Sequence, residues 1–174
     1  SNGCIGVDSV TVVITPTIIA NAGTDLTICR GKNVTLNAFG GTGYSWIPAT
    51  GLSNSNIANP TTSPTSNTTY TVVVSSGNCT PDSDVVSIFV NPNPTATAAS
   101  NTTITQGQST TLAASGGGTY LWGSSNNATD SLITVSPAIT TIYCVTVTSA
   151  SGCMDSACVT VYVEPTDCSQ AATG

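Results

Sequence analysis

Val86-Ser87-Ile88-Phe89-Val90 and, 73 residues further on, Val159-Thr160-Val161-Tyr162-Val163 decide how this chain folds. In both runs a branched aliphatic residue fills every second position. An extended backbone sends alternate side chains to opposite faces, so Val86, Ile88 and Val90 share one face while Ser87 and Phe89 take the other. The same alternation sets Val159, Val161 and Val163 against Thr160 and Tyr162. These are half-buried strands, and their near-identity is the first sign of an internal repeat.

Working outward, Ile28, Gly31, Leu36, Tyr44 and Trp46 recur 76 residues later as Ile104, Gly107, Leu112, Tyr120 and Trp122. Beyond the tryptophan the offset falls to 73, pairing Pro64, Tyr70 and Val72 with Pro137, Tyr143 and Val145. Three residues are therefore missing from the second copy between Trp and Pro, which marks a surface loop there. A partial third copy, Cys4, Val10, Val12, Ile14 and Pro16, matches the end of a repeat. The expected organisation is a terminal strand in residues 1–16, one repeat over 17–92, a second over 93–165 and a tail over 166–174. Turns such as Gly40-Gly41-Thr42-Gly43, Gly77-Asn78 and Gly116-Gly117-Gly118 separate short β-branched runs, and no segment has helical periodicity. The fold class is all-β, as tandem immunoglobulin-like β-sandwich domains. Trp46 and Trp122 are expected in the two cores rather than as surface platforms for sugars, because each sits in a Tyr-x-Trp strand in register with Leu36 or Leu112.

Composition excludes most chemistry. Only 6% of residues are charged, with two cations, eight anions and net charge −6, against about 25% charged residues in ordinary soluble proteins. There is no histidine, which removes His-dependent hydrolases and zincins. No basic patch exists to neutralise phosphates, so nucleic acid is not an expected partner. No apolar run approaches the roughly 20 residues that span a bilayer, so membrane insertion is not expected either. No positively charged leader opens the chain, and Ser1 begins either a mature, processed chain or a piece of a longer one. The surface is hydroxyl-rich instead, with 32 Thr and 22 Ser. The single glutamate, Glu164, offers no carboxylate pair for glycosidase chemistry, and Asp82-Ser83-Asp84 supplies too few oxygens for Ca²⁺. The chain reads as a non-enzyme without cofactor or metal.

Seven cysteines without histidine read as a disulfide inventory and an oxidising, extracellular location. Cys144 and Cys158 lie on faces opposite to Val145 and Val159, so a hairpin centred near Ser151 sets them directly across from one another as a disulfide. Cys29 with Cys79 is the next candidate, being the only cysteines of the first full repeat. Cys4, Cys153 and Cys168 remain, as candidates for an intermolecular bond; zinc is the competing reading and finds no Cys-x-x-Cys pair.

The ordered motifs Asp25-Leu-Thr-Ile-Cys-Arg-Gly31, Tyr44-Ser-Trp-Ile-Pro-Ala-Thr-Gly-Leu-Ser53, Asn59-Pro60, Thr68-Thr-Tyr-Thr-Val-Val-Val74 and Gly77-Asn-Cys79 resemble the Ig-like/PKD-like tandem repeats of secreted Bacteroidota cell-surface adhesins. Those include gliding-motility adhesins and type IX secretion substrates. The likeness spans nearly all of 17–92 and is weaker over 93–165, where Thr105 replaces Cys29 and Gly123 replaces Ile47. It implies a spacer, stalk or adhesive unit and transfers no catalytic residue. Asp8-Ser9-Val10, Asp130-Ser131-Leu132 and Asp155-Ser156-Ala157 also resemble the Bacteroidota O-glycosylation sequon, which makes Ser9, Ser131 and Ser156 glycosylation candidates; ordinary turn and strand-edge serines are the alternative.

The expected function is thus the body of a bacterial surface adhesin or filamentous appendage, with copies of itself, adjacent repeats or surface glycans as partners. The alternative is a carbohydrate-binding accessory module of a secreted enzyme. Residues 5–15 read as a strand without a sandwich of its own, left from a preceding repeat or donated to a neighbour. The proline-containing joints Thr15-Pro16-Thr17 and Asn91-Pro92-Asn93-Pro94 predict a semi-rigid rod.

Overall fold

A computed structural model describes residues 8–11, 16–123 and 127–166. The chain divides into two compact units, Ser1–Val90 and Asn91–Gly174. The first contains β1 (Leu26–Cys29), β2 (Val34–Thr35), β3 (Gly43–Ile47), β4 (Thr61–Thr62), β5 (Thr68–Ser75) and β6 (Asp82–Asn91). The second contains β7 (Thr97–Ala98), β8 (Thr102–Thr105), β9 (Thr110–Ser115), β10 (Thr119–Trp122), β11 (Leu132–Val135), β12 (Thr141–Thr148) and β13 (Met154–Glu164). Of the strand read over 5–15, residues 8–11 are described; they carry no strand pairing and leave Val10 83% exposed. The remainder of that segment lies outside the described residues.

The second unit is a complete two-sheet sandwich. One sheet runs β10-β12-β13-β8 and the other β11-β9-β7. Neighbouring strands pair antiparallel except β8, which lies parallel to β13 with Val161 opposite Thr102. A first strand that starts on one sheet and crosses to the other, with the tryptophan strand beside the last hairpin, is the immunoglobulin-like arrangement. Period-two patterning builds the core: Leu112, Trp122, Val145, Val159 and Val161 turn inward and are 0–1% exposed. Their neighbours Thr146, Ser156 and Thr160 turn outward or stay half-buried.

The first unit repeats the larger sheet as β1-β6-β5-β3, but its second sheet shrinks to β2-β4 and isolated bridges such as Asn21 with Phe39. Leu36, Trp46, Tyr70, Val72, Val74, Val86 and Ile88 form its core. Pro60 explains the shorter sheet. It stands 73 residues before Ile133, whose strand pairs with Leu112. The Pro60 carbonyl still accepts the Leu36 N–H at 2.9 Å, yet a proline has no N–H with which to return the bond.

At one further position the two units share a backbone demand. Gly40 and Gly116, 76 residues apart, have φ of 111° and 147°. A Cβ on Gly40 would stand 2.0 Å from the Ile19 carbonyl oxygen, and one on Gly116 3.0 Å from that of Thr95. Only glycine lets the chain turn this closely over the first strand segment.

Candidate functional site

Each tryptophan is held by the same device. The indole N–H of Trp46 donates to the Ile57 carbonyl at 2.9 Å and that of Trp122 to the Asp130 carbonyl at 3.0 Å. Their backbone N–H groups donate to Ser55 and Ala128. These bonds pin both ends of the segment that crosses between sheets, so the extra three residues of the first unit lie between Trp46 and Ser55. A buried indole with its donor satisfied is a core residue and leaves no ring face for a ligand.

The longer crossing segment of the first unit folds back on β4. Leu52 bridges to Thr62, the Ser53 N–H donates to the Thr61 carbonyl at 2.9 Å, and Ser53 Oγ accepts the Thr61 N–H at 2.9 Å. Two adjoining clefts of about 330 Å³ each open along this seam and share Gly51, Thr62 and Ser63. Their walls are neutral: Pro48, Leu52 and Pro64 give apolar faces, while Asn33, Ser53, Ser63, Thr65 and Ser66 give amide and hydroxyl groups. Below them the Thr62 and Tyr70 hydroxyls share a buried hydrogen bond of 2.9 Å. In the second unit Val135 stands where Thr62 does, so no hydroxyl faces Tyr143 from that position, and burial pushes the Tyr143 phenol upward.

The cysteines are divided among three situations. Cys144 and Cys158 face each other across β12 and β13 and are bonded, with an S–S distance of 2.06 Å on the outer face of the sheet. Cys29 with Cys79 is corrected: Cys79 is a free, half-buried thiol, and Cys29 is in a disulfide that does not involve it. Strand direction explains why. Asp82 accepts from the N–H of Ala20, Asp84 from that of Ala22, and Asp25 from that of Ser87, each pair 62 residues apart. The first segment therefore runs parallel to β6, which sets Cys29 level with Asn91 and leaves Cys79 beyond the opposite end. At about 3.3 Å per residue that is roughly 30 Å or more, far outside the ~7 Å limit for a bridge. Cys153 is also corrected as an intermolecular candidate: it is buried and already in a disulfide of this chain. Cys4 and Cys168 lie outside the described residues.

Those aspartates are structural clamps, a role the sequence alone does not announce. In place of a cation, the carboxylates of Asp82 and Asp84 accept backbone donors at 2.9 Å. Hydrogen bonds from Ala22 and Val85 hold the Asp84 carboxyl below its ordinary range. The second unit repeats part of this, with Asp155 accepting from Ala96 and Asn101 from Thr160 at a constant separation of 59. A recurring separation between acidic or amide residues and the strand opposite is the signal that would have found them.

Ser9, Ser131 and Ser156 are all exposed. Among the described residues no three His, Cys, Asp or Glu side chains converge as a metal site. No helix there is long and apolar enough to cross a membrane, a statement that does not bear on β-barrels.

No protein-family model matches the chain, and no curated protein matches it. Solved structures do. The insect immune protein hemolin is similar over 83% of this chain at 16% identity and a TM-score of 0.46. Immunoglobulin domains 1–4 of Sidekick-1 cover 86% at 14% identity and 0.40, and the N-terminal Ig1-2 module of the Drosophila receptor protein tyrosine phosphatase DLAR covers 86% at 8% and 0.34. The chain spans 46% of the hemolin chain, 50% of the Sidekick-1 chain and 100% of the DLAR module.

Proposed function

We propose that this chain is a non-catalytic, extracellular repeat segment that forms the body of a bacterial surface adhesin or filamentous appendage. The observation that carries the reading is that each unit closes with its own final strand, β6 or β13, around its own tryptophan core. Units that complete themselves can be strung in series without borrowing a strand, so a linear array of sandwiches is favoured over strand donation. The Cys144–Cys158 bond supports an oxidising compartment. The hydroxyl-rich, charge-poor surface suits a body element that carries glycans at Ser9, Ser131 and Ser156 or packs against copies of itself.

The test is to place one, two or four copies between a cell-surface anchor and a known binding tip. Reach should lengthen with copy number while tip binding persists; collapse of reach, or turnover of saccharide or peptide substrates by the isolated chain, sinks the proposal. Intact mass of the native protein tests the glycan part, and a mass equal to the bare polypeptide removes it. The neutral clefts of the first unit support a second reading, a carbohydrate-binding accessory module of a secreted enzyme.

A further inference from the structure

We infer that the paired clefts between the 48–53 segment and β4 are a binding site for a neutral oligosaccharide, and that only the first unit carries it. The inference deepens the adhesive part of the function proposed above and rests on it; a chain that is purely a spacer has no use for such a site. Three observations converge. The two clefts adjoin, and at about 330 Å³ each they fall in the size range of small-molecule sites. Among the described residues no charged side chain lines either, so ionic ligands gain nothing from them, whereas proline and leucine faces beside exposed hydroxyls match the C–H face and hydroxyl rim of a sugar. The seam is held by two Ser53–Thr61 hydrogen bonds, one backbone to backbone and one through Ser53 Oγ, rather than by loose loop packing, so the site is formed before a ligand arrives.

The second unit is an internal control. At the positions of Thr62, Thr65 and Ser66 it has Val135, Ala138 and Ile139, and its crossing segment is three residues shorter. The second unit thus carries apolar side chains at three positions where the first carries hydroxyls. A Pro-rich peptide is the competing ligand, but such peptides dock on aromatic grooves, and the one aromatic at these clefts, Tyr70, is only 2% exposed.

The experiment titrates ¹⁵N-labelled full chain with maltohexaose, cellohexaose, mannohexaose and chitohexaose to roughly 10 mM, a range that detects millimolar affinity. Binding by at least one, with amide shifts confined to residues 48–53 and 61–66, is the expected result. T65A/S66I, which installs residues the second unit already accepts, should weaken that binding about fivefold or more, because each lost hydrogen bond costs severalfold. No shift with any of the four overturns the inference while leaving the spacer function intact. Shifts centred on the second unit or on an outer sheet face, unchanged affinity in T65A/S66I, or shifts at these amides with a Pro-rich peptide alone also overturn it.

Discussion

The two units share their hydrogen bonds more closely than their sheets. The tryptophan N–H groups find equivalent carbonyls, Ala38 donates to Ala58 as Ala114 does to Ser131, and Asp82 serves Ala20 as Asp155 serves Ala96. Around these fixed points the reinforcement differs. The second unit has a three-stranded second sheet and an outer-face disulfide; the first has a proline-trimmed second sheet, and Thr71 and Val85 face each other where the cysteines would be. A small sandwich buries too little surface to be stable by a wide margin. Its obligatory bonds therefore repeat, and its supplementary ones are free to vary.

The shared core is where the largest effect is expected. Trp46→Ala and Trp122→Ala should each destabilise their own unit by about 3–5 kcal/mol, through lost burial and a cavity. Amide hydrogen exchange, read separately for the two units, is the measurement. A gap above about 2 kcal/mol between the two variants would break the claim that the cores are equivalent.

The disulfide is the next contrast. Replacing Cys144 and Cys158 together by serine should cost the second unit about 3 kcal/mol, the value for a loop of this length, and leave the first unit unchanged in denaturant unfolding. The reciprocal T71C/V85C pair should stabilise the first unit, by a smaller amount, since engineered bridges usually return less than the loop estimate. A closed bridge with no gain would show that the outer-face positions are not equivalent after all.

Pro60 offers a smaller version of the same exchange. Ile133→Pro should trim β11 to the length of β4 and cost the second unit about 1–3 kcal/mol for the ladder bond it can no longer return. Loss of exchange protection confined to β9 and β11 is the expected signature. Melting of β12 and β13 together with them would mean that the two sheets do not fail separately.

Much of this contrast was readable in the chain. Alternation at Val86–Val90 and Val159–Val163 gave the strands, the 76 and 73 offsets gave the repeat, and face parity set Cys144 opposite Cys158. What escaped was whatever depends on a partner chosen by the fold. Cys29 and Cys79 share a repeat, but nothing local reveals that the first segment runs parallel to β6 and carries Cys29 to its far end. The crossing loop was legible as a loop from its three-residue difference. Its return onto Thr61 and Thr62 was not, because neither the Leu52 bridge nor the two bonds of Ser53, one from its N–H and one to its Oγ, follows from a local residue pattern. Asp82 and Asp84 read as a solvated turn with too few oxygens for a cation, because their backbone partners Ala20 and Ala22 lie 62 residues upstream.

Asp84 gives the finest test, since the second unit has Ala157 at the matching position. The Ala22 N–H and the Val85 backbone hold the Asp84 carboxyl below 3.8, against a small opposing push from burial. A carboxyl lowered in the folded state binds protons more weakly there than in the unfolded chain. Its contribution is therefore complete above the unfolded value near 3.8 and disappears as pH falls through the lower folded value. Acidification from pH 5 to pH 2 should weaken exchange protection at Ala22, with no matching loss at Ala98 from this source. Asp84→Ala should cost the first unit about 1 kcal/mol at neutral pH, the scale of a lost side-chain cap. Asp84→Asn, which keeps an acceptor oxygen, should cost less and abolish the acid dependence at Ala22. An acid-sensitive Ala22 amide in Asp84→Asn would mean that protection there does not depend on the Asp84 carboxylate, and the first unit would then owe nothing to the one aspartate that the second replaces by Ala157.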